Sequence, residues 1–532
     1  MLTLDNNKAS ILLSGIIGAV IHAAIFVAAF PATSYRGWLS LKTGLLERES
    51  VSYIQFLGAA GTVTGSKHLI DTSKLVAGGE TPASGGFKLL VDCGLFQGQK
   101  EWRLKNWTDL PVPAREIQAV ILTHAHLDHC GWIPRLYKEG FQGAIYATPA
   151  TVDLCGIILP DSGHLQEEDA AYHNKQKSSK HTPALPLYTM EEAQQCLSRF
   201  SPVQFGETVQ LADGVTFRFV RAAHILGSAM AEITLSANGT RRVLLFSGDI
   251  GRVRNSTIAP GKVVHSGPTE GESPDVLVME STYGNRHHPH TDVLPQMAAL
   301  INAAVKRGGS IVVPAFAVER TQKFLFLIKQ LMEQGAIPRI PVYADSPMGI
   351  HAVQIFLKHG EEFSADTKDL IARYGSPLKW PGFQFASTPQ DSKNINESHF
   401  PSIIVSSNGM CMGGRIQHHL IQRLPDPRNL VLFIGYQAVG TRGQQIKDGA
   451  REVKIFGEIV PVRAQVAALE QFSDHADVDE LLEWLHTLKK TPASTHIVHG
   501  EPPSAEALRQ EIQKQLGWEA DVARYMQRDE IR

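Results

Sequence analysis

The 532-residue chain has five cysteines, at 93, 130, 155, 196 and 411, and no CxxC pair among them. That scarcity argues against a thiolate zinc site and a disulfide framework, and suits a reducing compartment. An excess of either charge is also missing. Lys and Arg number 51 against 53 Asp and Glu, a formal net charge of −2. A polyanionic partner would have to be met by local basic patches, because the whole molecule exerts no long-range pull on it. There is no internal repeat and no long low-complexity segment. Hydrophobic content of 43% and charged content of 20% describe a globular protein, and the length calls for two or three domains. Histidine is what the chain has in quantity: 22 residues, several of them clustered.

One apolar run is long enough to cross a membrane. Residues 9–30 are broken only by Ser10, Ser14, Gly15, Gly18 and His22. Three readings compete for it. It is a membrane anchor, with Arg36 and Lys42 favouring a cytoplasmic C-terminal side. It is a signal peptide, against which Asp5 counts. Or the start site lies too far upstream. Any membrane contact is expected only through 9–30, and the rest of the chain in the cytoplasm.

From Tyr53 the sequence is globular. Buried strands are expected at 54–57, 88–91, 119–122, 242–246 and 276–279. Four of them deliver a polar residue at the C-terminal end, as a layered α/β enzyme presents ligands on loops. From about 285 the rhythm changes. A strand at 310–313 precedes a helix over 319–334, with Phe324, Leu327, Ile328 and Leu331 at helical spacing. Further strands are expected at 342–344, 403–405 and 430–434, with loops and short helices over 362–400. A strand-like 462–469, a helix over 478–488 and a strand at 496–498 close the chain.

The strongest signal is His124-Ala125-His126-Leu127-Asp128-His129, directly after a buried strand. Imidazoles and a carboxylate at this spacing suit Zn²⁺ in an open catalytic site. A lone HxH would as soon be a solvated loop; HxHxDH after a hydrophobic strand is a mechanism-bearing signature. The motif resembles that of the metallo-β-lactamase superfamily, and other superfamily elements follow in order. Asp92 in Val91-Asp92-Cys93-Gly94 matches the aspartate that supports the metal loop. His224 in Ala223-His224-Ile225-Leu226-Gly227-Ser228 matches the third-motif histidine, and Asp249 in Ser247-Gly248-Asp249 the bridging aspartate. The resemblance implies two Zn²⁺. His124, His126 and His224 would hold one, Asp128 and His129 the other, with Asp249 between them.

Later motifs resemble the β-CASP RNA-processing nucleases, which include bacterial relatives of the pre-mRNA cleavage and polyadenylation endonuclease. Glu280 in Met279-Glu280-Ser281-Thr282-Tyr283-Gly284 is similar to motif A, His475 in Ser473-Asp474-His475-Ala476-Asp477 to motif B, and His499 in Val498-His499-Gly500 to motif C. The histidine at motif C favours RNA over DNA and would complete the second metal site. The implied fold is α/β: a metallo-β-lactamase αββα sandwich over 51–284 and 461–532, with an inserted α/β β-CASP domain over 285–460.

The implied reaction is zinc-dependent hydrolysis of RNA. A hydroxide shared by two metals attacks phosphorus, Asp128 and Asp92 serve the metal site, and His475, oriented by Glu280, protonates the leaving 3′-oxygen. Ser407, Gly413, Gly414 and Arg415, with Thr441 and Arg442, lie in glycine-bearing loops after buried strands. Such loops expose N–H groups and bidentate arginines to a phosphate; the bland reading is a turn with an incidental arginine. Arg320 is a weaker case of the same kind. His164 and the 287–290 histidine run read as supporting or solvated residues. RNA is the expected partner, with a homodimer as a further option. Two alternatives are a small-molecule hydrolase on the same core, which would lack residues 285–460, and an inactive RNA-binding scaffold, which would have lost ligands.

Overall fold

The computed structural model describes residues 52–531 except 73–85, 178, 180, 238, 253–273, 290, 317, 377–379 and 436. The apolar run at 9–30 lies outside the described residues, and so does every reading of it. Among the described residues no helix is long and apolar enough to cross a membrane.

Alternation along the strands builds the layers. Successive side chains of a strand point to opposite faces. Leu89 and Val91, like Ala119 and Ile121, enter a core shared between two sheets, while Leu90 and Val120 face the other way onto helices. In the second sheet Leu244, Phe246, Val276 and Val278 meet that shared core. Leu245, Leu277 and Met279 point outward onto helices Val478–His486 and Pro502–Leu516. The result is a helix–sheet–sheet–helix sandwich with seven strands in each sheet. In the second sheet Thr208–Ala212, Val215–Arg221, Ala229–Ala237 and Thr240–Phe246 form an antiparallel run. Val276–Met279 and Ser494–Ile497 then add in parallel.

Those last two strands are neighbours in space but far apart in sequence, and a third sheet is built from the chain between them. Its six strands run in the order Phe383–Phe385, Val342–Asp345, Ile403–Ser406, Ile311–Pro314, Leu430–Phe433, Gln465–Ala468, all parallel. Ile311, Val313, Leu430 and Leu432 face one core, and Val312, Val431 and Phe433 the opposite one. Both faces are covered, which is why these strands read as unbroken apolar runs. The expected helix is found at Arg320–Glu333, burying Phe324, Ile328 and Leu331.

The third sheet extends past the boundary expected at 460. Gln465–Ala468 pairs with Leu430–Phe433, and the chain rejoins the sandwich at His475 and Ala476, which pair with Gly251 and Ile250 just before helix Val478–His486. A short apolar strand carries no mark of which sheet it will join. The stretch expected to be loops and short helices holds helices Ala365–Tyr374 and Pro389–Glu397 and edge strand Phe383–Phe385.

Candidate metal centre

The motif residues arrive at the C-terminal ends of sandwich strands. Asp92 directly follows Lys88–Val91, and Glu280 directly follows Val276–Met279. His124, His224, Asp249 and His499 sit two or three residues beyond Ala119–Ile121, Val215–Arg221, Thr240–Phe246 and Ser494–Ile497. A short helix, Leu127–Cys130, carries Asp128 and His129. The backbone there is constrained. Asp92, Ala223 and His499 adopt φ of 61°, 58° and 49°, left-handed values that cost roughly 1–3 kcal/mol each unless packing holds them. Two glycines let the loops cross. A Cβ at Gly94 would stand 1.6 Å from the Asp128 carbonyl oxygen, and one at Gly251 1.7 Å from that of Ala223.

Two groups of ligand-type atoms converge: His124, His126, His224 and Asp249 in one, Asp128, His129 and His499 in the other, each within 4.8 Å. Asp249 lies between them. Its Oδ2 is 3.5 Å from Nε2 of both His124 and His224. Its Oδ1 is 3.3 Å from His129 Nε2 and 3.4 Å from His499 Nδ1. Both oxygens are buried, and neither accepts a hydrogen bond. An unsatisfied buried carboxylate is costly unless something cationic meets it. The histidines make the same point. His126 Nδ1 faces Nε2 of His124 at 3.1 Å and of His224 at 3.2 Å, and His129 Nε2 faces His499 Nε2 at 3.1 Å. Burial, helped by neighbouring histidines, holds His124 and His224 well below the usual imidazole range. Burial lowers His126 to about 4. Burial lowers His129 as well, but the Asp249 and Asp92 carboxylates outweigh it and its net direction is upward. The neutral His124, His126 and His224 converging on Asp249 are a donor set that suits a divalent cation.

Asp92 is not among the converging atoms. It accepts from the Thr123 N–H at 2.9 Å, the Thr123 hydroxyl at 2.9 Å, the Ser66 hydroxyl at 3.1 Å and His129 Nδ1 at 2.6 Å. The last contact fixes the His129 tautomer and turns Nε2 inward. Ser228 Oγ likewise accepts from the His224 N–H at 2.8 Å. Thr123 and Ser66 were not singled out from sequence. Ordinary hydroxyl residues carry no motif signal, although Thr123 adjoins the first histidine.

His475 stands across from this cluster. Its Nδ1 is 3.1 Å from Glu280 Oε2, and its Nε2 is 3.9 Å from Asp249 Oδ2. Burial lowers its pKa, but the Glu280 and Asp249 carboxylates outweigh that, and the net direction is upward. Glu280 is itself held by the Ile250 N–H at 2.6 Å. His288 Nε2 donates to the His475 carbonyl at 2.9 Å, and Asp477 caps the following helix in a reciprocal box with Glu480. The 287–290 run therefore divides: His288 is buried support, His287 is exposed beside Asp479, and His290 lies outside the described residues. His164 is exposed.

The arginines differ among themselves. Arg320 is buried near the cluster. Its Nε donates to Asp474 Oδ2 at 3.1 Å, and its Nη1 has no hydrogen-bond partner. It lies over the Phe316 ring, which neighbours His126. Arg415 is engaged within the third-sheet region, pairing with Asp345 at 2.7 Å and donating to the Ala386 and Ser387 carbonyls. Arg442 donates to the carbonyls of Cys411 and Lys454 and to Gln417. Thr441 caps helix Arg442–Lys447. A Cβ on Gly413 would meet open space, whereas one on Gly414 would lie 2.7 Å from the Ser407 carbonyl oxygen.

Three family models match the chain: the metallo-beta-lactamase superfamily at 83–294, the Beta-Casp domain at 321–446, and the Zn-dependent metallo-hydrolase RNA specificity domain at 459–523. Ribonuclease TTHA0252 of Thermus thermophilus is 34% identical over 88% of this chain and 97% of its own. An RNase J-like protein of Methanocaldococcus jannaschii is 30% identical over 78% of this chain and 87% of its own. Transcription termination factor FttA of Pyrococcus horikoshii is 30% identical over 75% of this chain and 60% of its own. Its site built at strand ends and its third sheet inserted between paired strands agree with these similarities: the chain belongs to the metallo-β-lactamase superfamily, in the β-CASP family of metallo-hydrolases.

Proposed function

We propose that the protein is a two-zinc ribonuclease acting on RNA phosphodiester bonds in the cytoplasm. The observation that carries the reading is Asp249, whose two buried, unsatisfied oxygens face two separate sets of ligands. His124, His126 and His224 would hold one ion, Asp128, His129 and His499 the other, and Asp249 both. Bound there, the ions supply Lewis acidity toward phosphate oxygens and a water acidified to a pKa of about 7. The chain's own residues do the rest. Asp92 and Thr123 hold the ligand loops in register. His475, with Nδ1 held by Glu280 and Nε2 turned to the site, gives its proton to the leaving 3′-oxygen, so the products end in 5′-phosphate and 3′-hydroxyl. Arg320, with one free guanidinium nitrogen, holds a non-bridging phosphate oxygen. Gly413, Gly414 and Ser407 offer backbone to the strand, while Arg415, Arg442 and Thr441 keep that loop in shape.

The test is purified protein with zinc and RNA labelled at either end. The reading expects about two zincs per chain and fragments carrying 5′-phosphates. Active protein with one ion or none, or no cleavage of any RNA by zinc-loaded protein, overturns it.

A further inference from the structure

A second feature of the sandwich lies in the segment that follows Asp92 and Gly94. Three aromatic rings meet there. Phe96 stacks on Trp102, with centroids 5.7 Å apart and planes inclined by 13°. Tyr525 stands edge-on to both, at 6.3 Å from Phe96 and 6.4 Å from Trp102. Lys105 Nζ lies 4.0 Å from the Tyr525 centroid and 5.3 Å from that of Trp102. Phe96 is buried, Trp102 and Tyr525 are partly exposed, and Trp107 nearby is 52% exposed.

The segment is basic in a chain that is not. Between 97 and 107, Lys100, Arg103 and Lys105 face one carboxylate, Glu101. Lys100 and Arg103 are exposed and form no ion pair among the described residues. Three cations against one carboxylate make this a local positive patch, of the kind a chain of net charge −2 needs if it is to hold a polyanion.

The patch is tied rigidly to the metal centre. Asn106 clamps Phe96 through both backbone groups, at 2.9 and 2.8 Å, and its own carbonyl accepts from Trp132 Nε1 at 2.9 Å. The Gln97 N–H donates to Thr64 Oγ at 2.8 Å. Gly94, two residues before Phe96, packs against the Asp128 carbonyl. A cavity beside Trp102 is lined by Thr64, Gln97, Val439 and Glu501, and Glu501 is two residues from His499. It lies where the 97–102 segment meets the 438–440 loop, Gly98 facing the Val439 carbonyl and Gly440 facing Gln99.

We infer that Trp102, Tyr525 and Lys105, with Lys100 and Arg103, form a stacking platform for single-stranded RNA that holds the substrate outside the reacting bond. The inference rests on the ribonuclease reading above. Every base has a face that stacks on an aromatic ring, so such a platform adds affinity without choosing sequence. Cations beside the rings meet the backbone phosphates.

The experiment uses the full chain with zinc and a twelve-nucleotide, 2′-O-methyl oligouridine, read by fluorescence anisotropy, alongside cleavage of unmodified RNAs of two and twelve nucleotides. Trp102→Ala is expected to weaken oligouridine binding about ten- to hundred-fold. It should raise KM for the twelve-mer far more than for the dinucleotide, and leave zinc content intact. Trp102→Phe should recover most of the loss. If Trp102→Ala does not fold, Lys105→Gln carries the test, through weaker binding and a shallower salt dependence by about 0.7 in log–log slope. Wild-type affinity in both Trp102→Ala and Lys105→Gln, or equal KM effects on the two lengths, overturns the platform. Wild-type protein that neither binds nor cuts any RNA overturns the ribonuclease reading instead.

Discussion

The loop around His124–His129 and the loop around Ser406–Arg415 have the same local grammar: a buried strand, then polar residues with glycine nearby. They dispose of their polar atoms in opposite ways. In the first, ring nitrogens face one another at 3.1 and 3.2 Å and the Asp249 oxygens accept nothing. In the second, Arg415 is spent on Asp345 and two carbonyls, and Arg442 on Cys411, Lys454 and Gln417. A buried carboxylate left unsatisfied among ring nitrogens calls for a cation, whereas a guanidinium with its hydrogen bonds made explains itself. The distinction lies in geometry, so residue types alone could not draw it.

The sharpest way to break the comparison is Asp249→Ala. It removes the one carboxylate shared by both ligand sets. Zinc content and RNA cleavage should fall together, to the limit of detection. A variant that keeps two zincs would show that Asp249 is not the bridge.

His475→Ala should have the next largest effect. The residue contacts Glu280 and faces the site but belongs to neither converging group. Zinc content and RNA affinity should stay at wild-type levels while kcat falls about 10²–10⁴-fold. Loss of zinc, or an unchanged rate, would remove it from the proton-transfer role.

Asp92→Asn sharpens the boundary between ligand and support. The amide keeps the shape but weakens acceptance from His129 Nδ1. Such supporting contacts are worth about 10–100-fold in metal affinity. Competition with a chelator should show that loss, with activity restored by excess zinc. Activity that excess zinc cannot restore would assign Asp92 a part in the chemistry itself.

How much of this was legible depends on the signal each residue carries. Strand ends bearing Asp92, His124, Asp249 and Glu280 were readable because a buried strand is an apolar run and its stop is abrupt. Asp477 caps helix Val478–His486, and Glu480 three residues on closes the box. Thr123 and Ser66 were not readable, because their roles exist only once distant strands are side by side. Helix Pro149–Gln176 is not legible in the sequence because Pro160, Gly156 and Gly163 interrupt it and its apolar residues trace no clear stripe. Strand Gln465–Ala468 is legible as a strand but its sheet is not, since pairing is a tertiary choice.

The smallest effects expected are on the arginines, and they decide what the second loop is for. Arg415 Nη1 meets Asp345, a fully buried carboxylate that also receives His419 Nε2 at 2.7 Å. Truncating Arg415 leaves that carboxylate half-served. Breaking one charge-assisted hydrogen bond costs about 1.5–3 kcal/mol, and the remaining histidine keeps the loss toward the lower end. Arg442→Ala removes donors from the Cys411 and Lys454 carbonyls, which water can partly replace at this less enclosed site; about 1 kcal/mol is expected. Both losses should appear as a lower urea midpoint with an unchanged slope. RNA affinity of the folded fraction should change less than threefold. Arg320→Ala provides the contrast, because its Nη1 has no partner to lose: binding should weaken more than in either other variant. If Arg415→Ala and Arg442→Ala keep their urea midpoints yet lose tenfold in RNA affinity, their guanidiniums leave the internal partners for phosphate. The second loop would then belong with the first, as ligand-binding structure.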